Sequence, residues 1–400
     1  MIAFLKLAGL LLAVLLSTGL KIPVAYVLIG CSVIAGFIFF PIGEIPQAFL
    51  HVLSSWNTWR YILTLWGVLL LEATMNKNGM LKSLAKSATN LFTDKRLATI
   101  ILPSIIGFLP SVGGAYFSAP LVNEVASDMS ITPVKKNFVN YWFRHIWENA
   151  VPLYPGVIMA SAITGYPIAL VMAYQIPITL VGLFSGFYVG FKGVPKVNGS
   201  KGGPLWPRLS SFLKDVWPVF LAIVFVVSIP SIYAPFAVLS VVLISWTVIK
   251  PKKEIIWNIV KTSFRVNYFI ILLGSVLFNE VLQGSTAAAD LSSWFQSTGM
   301  QPVFVAILLP VLVGLLIGVT VAFVGITFPI IAALAGTGSY GIFALAYAVG
   351  IVAILYSPIH VCVILTCDYF KTKMSDLFKL MIVPATVQVI LGVILWWLIR

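Results

Sequence analysis

The sequence predicts an all-α polytopic membrane protein built as an inverted repeat, and three observations predict it. Sixty per cent of the 400 residues are hydrophobic and 9% are charged, where an ordinary soluble domain carries about 25% charged residues. Apolar runs long enough to cross a bilayer as helices recur along the chain. The basic residues and the helix breakers follow one order in both halves, with opposite orientation relative to the membrane.

The runs Ile2–Leu20, Ile22–Phe40, Ile168–Phe191 and Phe378–Ile399 each approach or exceed the roughly 20 residues a spanning helix needs. Strand-like alternation is absent, which argues against a barrel. The first run has no basic segment ahead of it and contains Lys6, so it is expected to be a permanent span and not a cleaved leader. Cys31, Cys362 and Cys367 lie in apolar runs without paired metal spacing, so packing roles are expected. No HExxH, GxSxG or phosphate-loop motif occurs, and there are only three histidines. Neither an enzyme nor a resident metal or cofactor is therefore expected.

A net charge of +13 would suggest nucleic acid in a soluble chain. In a membrane protein it reports topology, because basic residues of short loops stay in the cytoplasm. Lys21, the Lys77–Arg96 cluster, Lys135-Lys136, the Lys192–Lys214 group, the Lys250–Arg265 group and Lys371–Lys379 then all fall inside. Of the 25 Lys and Arg residues, the exceptions are Lys6, Arg60, Arg144 and Arg400. Both termini are placed outside a prokaryotic plasma membrane. Lipid is the expected partner, nucleic acid is not, and a homodimer stays open. Trp56, Trp59, Trp147, Trp396 and Trp397 are expected as interfacial anchors.

Residues 1–191 and 216–400 form the two halves, joined by a basic, Gly- and Pro-rich linker over 192–215. Each half is expected to hold three spans, a re-entrant hairpin, a proline-broken helix and a closing span. The hairpins fall at about 97–130 and 303–335, and the broken helices at about 140–163 and 341–367. "SVGGAYFSAP", ending at Pro120, lies over "TVAFVGITFP", ending at Pro329, so Ser111 meets Thr320 and Ser118 meets Thr327. "VPLYPG" and "ILYSPIH" echo each other at the broken helices.

Unpaired backbone is not tolerated in lipid, so breakers at membrane depth must be covered by protein or line a wet cavity. Pro110 with Gly113 and Gly114 makes a sharp turn. The flanking arms, Leu97–Leu109 and Ala115–Ala126, are each about 20 Å long, short for a full crossing. Two kinked spans joined outside are the alternative. Pro152, Pro155 and Pro358 interrupt the two crossing helices, beside Tyr154 and beside Tyr356 and Ser357. Breaks expose partial charges that can hold an ion or an anion.

In "FRHIWENAVP", Arg144, His145, Glu148 and Asn149 have helical spacing and form one polar stripe. Charged groups at such depth are expensive and usually functional. Arg144 suits an anion, and Glu148 or His145 a coupling proton; an internal Arg144–Glu148 brace is the alternative. His360 is a relay or packing histidine, and Asn123 can face the site. Glu72, Glu124, Asp128 and Glu280 are expected near the surface.

"LPSVGGAYFSAPLVNE", "NYWFRHIWENAVPLYPG" and "LYSPIHVCVILT" resemble a prokaryotic family of integral membrane proteins, domain of unknown function 401, across essentially the whole chain. The layout resembles the ion-transporter superfamily of citrate, dicarboxylate, gluconate and arsenite permeases. That resemblance implies an ion-coupled transporter of a small anionic solute, driven by H⁺ or Na⁺. Its site would include Ser111, Gly113, Gly114, Ser118, Thr320 and Thr327. Sodium–dicarboxylate members carry Ser-Asn-Thr at their tips; here the tips read Ser-Val-Gly and Gly-Ile-Thr. A channel of the same architecture and a non-transporting sensor or assembly protein are the other classes.

Overall fold

Proline and glycine set most helix boundaries in this chain. The computed structural model describes residues 5–6, 9–10, 12–13, 16–17, 22–110, 114–198, 204–230, 233–299, 301–336 and 338–399; side chains at 115–117, 287–288, 291–292 and 295–296 are not described. The described residues between 5 and 17 are helical. The first half continues with α1 (Val24–Phe39), α2 (Ile45–Ser54), α3 (Trp56–Lys77), α4 (Met80–Leu91), α5 (Lys95–Ile106), α6 (Gly114–Val125), α7 (Pro133–His145), α8 (Pro155–Thr164) and α9 (Ile168–Phe191). The second half holds α10 (Leu205–Ser228), α11 (Ala234–Ile249), α12 (Lys253–Ser263), α13 (Val266–Gly284), α14 (Ala287–Thr298), α15 (Pro302–Ile317), α16 (Thr320–Ala335), α17 (Tyr340–Leu355), α18 (Val361–Phe370) and α19 (Met374–Ile399).

Local chemistry explains the ends. Ser55, Asp94 and Thr132 cap α3, α5 and α7, each accepting a bond from a backbone N–H of the first turn. Proline occupies the first position of α7, α8 and α15, where its missing N–H is not needed. Gly165 and Gly318 end α8 and α15 with φ of 76° and 65°, the left-handed conformation glycine adopts without strain.

Among the described residues, α9, α10, α13 and α19 are long and apolar enough to cross a membrane. Large apolar side chains on them and their neighbours face outward, including Phe184, Phe220, Leu308 and Trp397. In water such a belt would aggregate; in a bilayer it is the required solvent-facing surface. The protein is an all-α polytopic membrane protein. The helices α16 and α17, by contrast, are buried along almost their whole length.

Packing pairs elements across the two halves. Helix α1 lies on α13, and α11 lies on α3. Arm α6 packs on α18, and arm α16 packs on α8. Within each half, α5 lies against α7 and α15 against α17. The closing helices α9 and α19 pack on each other.

Several details differ from the sequence expectation. Helix α10 begins at Leu205, so the helix takes up much of the span assigned to the linker. The polar stretch Gln283–Gln301, between α13 and α15, contains α14. The short helices α2, α4 and α12 were not foreseen; their apolar residues are confined to one face, the pattern of a helix lying along a bilayer edge. Pro120 and Pro329 were expected at breaks, yet both sit inside continuous helices, α6 and α16. One missing N–H is tolerated there because neighbouring helices surround the site.

The α15–α17 contact depends on the absence of a side chain at Gly314. A Cβ there would stand 2.9 Å from the Ala353 Cβ and 3.0 Å from the Gly350 carbonyl oxygen. Gly314→Val is therefore expected to cost about 1–3 kcal/mol by overpacking. Its thermal midpoint in detergent should fall by several degrees, while Gly43→Ala, which meets nothing within 4 Å, should match the wild type.

Candidate functional site: a chamber at the helix breaks

Two helices stop at the same place in the molecule. Helix α7 ends at His145, tightens into a 3₁₀ turn over Ile146–Glu148, and restarts as α8 at Pro155. Helix α17 ends at Leu355, and α18 begins at Val361. Two hairpin turns meet them: the chain after α5, at Gly107–Pro110, and the Gly318-Val319 turn between α15 and α16. Gly107 is required by close approach, since a Cβ there would strike the carbonyl of Arg144.

Each stop frees carbonyls, and side chains from other elements bond to them. The Tyr154 hydroxyl donates to the Gly107 carbonyl at 2.6 Å and accepts from an Arg144 guanidinium N–H at 2.6 Å. Tyr141 donates to the Leu355 carbonyl at 3.0 Å, and Tyr347 donates to the Glu148 carbonyl at 3.0 Å. Each broken helix thus caps the other. Ser357 Oγ donates to Leu315 O at 2.7 Å, and His360 Nδ1 lies 2.7 Å from Gly318 O.

These contacts border a partly open cavity of about 170 Å³. Arg144, His145, Glu148, Tyr154, Thr320 and His360 supply its polar wall, with Pro110, Pro155 and Tyr268 among the other lining residues. Thr320 Oγ1 donates to Glu148 Oε2 at 2.6 Å, and Glu148 Oε1 lies 3.9 Å from His145 Nε2. The first residues of α8, α16 and α18 all line the cavity. Three helix N-termini therefore open onto it, and each presents backbone N–H groups and a partial positive charge. With Arg144 beside them, the chamber can hold an anion.

The structure brings Arg144, His145, Glu148, Tyr154, Thr320 and His360 together around this cavity. Pro110 and Pro155 also line the chamber, while Pro152 is buried in the first break and Pro358 is exposed in the second. Other expected site residues do not line it. Asn149 is buried in the first break, but its amide donates to the Ile146 carbonyl at 3.2 Å. Ser118 and Thr327 donate to carbonyls of their own helices, Gly114 O at 3.2 Å and Phe323 O at 2.9 Å. Tyr356 reaches Phe378 O at 3.3 Å, away from the chamber, and Ser357 serves as a backbone cap. Asn123 is exposed and accepts from Lys136 Nζ at 2.9 Å; the α6 turn carrying it has already left the chamber. Gly114 opens α6, whereas Ser111 and Gly113 lie outside the described residues.

Sequence reasoning missed Tyr141, Tyr268, Tyr347 and Gly156. It also misplaced Glu72, expected at the surface. Glu72 is buried and paired with Arg265 at 2.9 Å, and Arg265 also donates to the Pro110 carbonyl at 3.4 Å. The signal was an acid inside an apolar helix, which needs a cationic partner. Glu280 stays partly exposed and meets His51 at 2.9 Å. Trp147, expected as an interfacial anchor, instead packs edge-on against Phe108, with ring centroids 4.8 Å apart.

The fold and its chamber define a helical membrane protein with paired helix breaks facing one cavity that carries buried polar side chains. Residues 7–399 match the family model described as protein of unknown function DUF401, and the chain belongs to that family. It is also similar to a solved structure whose title reads "Crystal structure of the Alcanivorax borkumensis YdaH transporter reveals an unusual topology". The identity is 12%, the TM-score 0.59, and the match covers 94% of this chain and 96% of that one. No curated protein matches the chain significantly.

Removing the cationic partner of the buried Glu72, the half-buried Arg265, should be costly. Arg265→Gln leaves a buried carboxylate without its cation, an expected loss of about 3–5 kcal/mol. Glu72→Gln combined with Arg265→Gln should recover part of it. Unfolding in mixed micelles measures both.

Proposed function

We propose that this protein is a secondary transporter of a small anionic solute, such as an organic acid, coupled to H⁺ or Na⁺. The observation that carries the proposal is the chamber itself: three helix N-termini and Arg144 converge on one cavity whose wall also holds a carboxylate and two histidines. In this proposal Arg144 and the N–H groups of α8, α16 and α18 bind the anion. Glu148 and His145 support coupling, because proton or cation occupancy beside the anion changes the charge of the whole site. The fold similarity to a transporter supports the same class.

The halves would be related as an inverted repeat, with α5–α6 and α15–α16 as re-entrant hairpins entering from opposite sides. Reciprocal packing of α6 on α18 and α16 on α8 supports that relation. So does the reciprocal capping by Tyr141 and Tyr347. Alternating access would rock these paired elements around the chamber. The distribution of basic residues supports both termini outside and the linker in the cytoplasm.

Reconstituted liposomes test the role of Arg144. A radiolabelled organic-acid panel should identify a solute that accumulates against a matching H⁺ or Na⁺ gradient. Arg144→Gln is expected to lower its initial uptake by about 10–100-fold, the worth of one or two charge-assisted hydrogen bonds. Uptake at the wild-type rate by Arg144→Gln would remove the assigned anion site.

A further inference from the structure

His145 and His360 come from the two broken helices, and their Nε2 atoms stand 3.2 Å apart. Each ring's other nitrogen faces a backbone carbonyl: His145 Nδ1 lies 2.7 Å from Tyr141 O, and His360 Nδ1 lies 2.7 Å from Gly318 O. A carbonyl oxygen only accepts, so both Nδ1 atoms carry the proton. In the neutral rings both Nε2 atoms then aim lone pairs at each other. Such a contact is favourable only around a shared cation, either a proton or a metal ion.

Three features favour the metal ion. Cys362 Sγ supplies a third donor, and the three candidate ligand atoms all lie within 4.8 Å of one another. Two nitrogens bound at about 2.0–2.1 Å to one tetrahedral ion would be roughly 3.3 Å apart, close to the observed separation. The bonds from Nδ1 to carbonyls are the outer contacts that fix tautomer and ring orientation in metal-binding histidines. A shared proton would use the two histidines and leave the thiol beside them without a role.

We propose that His145 Nε2, His360 Nε2 and Cys362 Sγ form a binding site for a borderline-soft divalent ion of the zinc class. Two imidazoles and a thiolate are a ligand set such ions prefer. The thiol proton leaves to bulk when the metal–sulfur bond forms. Glu148 Oε1 lies 3.9 Å from His145 Nε2, and the fourth position can take water or a carboxylate of a bound solute. The thiolate and Glu148 balance the dication, so Arg144 is left for an anion. The spacing of these residues in the sequence hides the site: His145 and His360 are 215 residues apart. The metal site stands on this geometry and does not require the transport function.

Cobalt titration of the detergent-purified full chain, stripped of metal beforehand, tests it without any transport assay. One Co²⁺ per chain is expected, with the intense visible bands of tetrahedral cobalt and a near-ultraviolet thiolate-to-cobalt charge-transfer band. Zn²⁺ should bleach both. Cys362→Ser should abolish the charge-transfer band, whereas Cys31→Ser and Cys367→Ser should keep it. His145→Gln and His360→Gln should each weaken binding by about 100-fold or more, with monodisperse elution showing that the variants are folded. Wild-type protein with no saturable Co²⁺ uptake, or with only the weak spectrum of octahedral cobalt, overturns the proposal. So does a charge-transfer band that survives Cys362→Ser.

Discussion

A backbone carbonyl freed inside a membrane must find a donor, and this protein frees several in one place. Leaving each unpaired in an apolar surrounding would cost several kcal/mol. Continuous helices avoid that cost entirely, so the interruptions persist only because side chains from elsewhere satisfy them. Tyr154 bonds Gly107, Tyr141 bonds Leu355, Tyr347 bonds Glu148, and Ser357 bonds Leu315. The donors are mostly tyrosines, whose ring fills apolar space while the hydroxyl reaches the break.

This constraint also explains why the halves are inseparable. Tyr141 belongs to the first broken helix and serves the second; Tyr347 does the reverse. The hairpin arms repeat the exchange, with α6 on α18 and α16 on α8. A chamber enclosed this way is polar because it is made of helix ends. Arg144, Glu148 and the two histidines are tolerated there because the same breaks surround them with hydrogen-bonding groups. The contact between Arg265 and the Pro110 carbonyl ties the pair with Glu72 to the rim of that chamber.

The helical membrane fold was legible in the sequence, because hydropathy is governed by the bilayer and acts locally. The polar cluster around Arg144 was legible for the same reason: charge inside an apolar run has few explanations. Short amphipathic helices such as α4 and α12 escaped notice because their mean hydropathy resembles that of loops. Pro120 and Pro329 misled because a proline reports a lost N–H, while neighbouring helices decide whether the helix stops. The capping role of Tyr347 could not be read, since its meaning lies in a partner far away in the chain. An apolar run containing tyrosine looks the same whether or not its hydroxyl caps a break.

The central claim is that the breaks of the two halves meet at one shared chamber. A Cβ at Gly156 would lie 3.5 Å from the Thr320 Cβ, within the range a disulfide accepts, and 2.7 Å from the Tyr347 hydroxyl oxygen, so the pair is made with and without Tyr347→Phe to open that space. The direct measurement is oxidative cross-linking of Gly156→Cys paired with Thr320→Cys, in a chain whose native cysteines are replaced and whose linker carries a protease site. Gly67→Cys with Val238→Cys, whose Cβ positions are 3.2 Å apart with only side-chain neighbours, is the positive control between halves. The account predicts that both pairs hold the cleaved halves together on a non-reducing gel. Linkage of the control pair alone, with the Gly156 and Thr320 pair separating after cleavage, would contradict it.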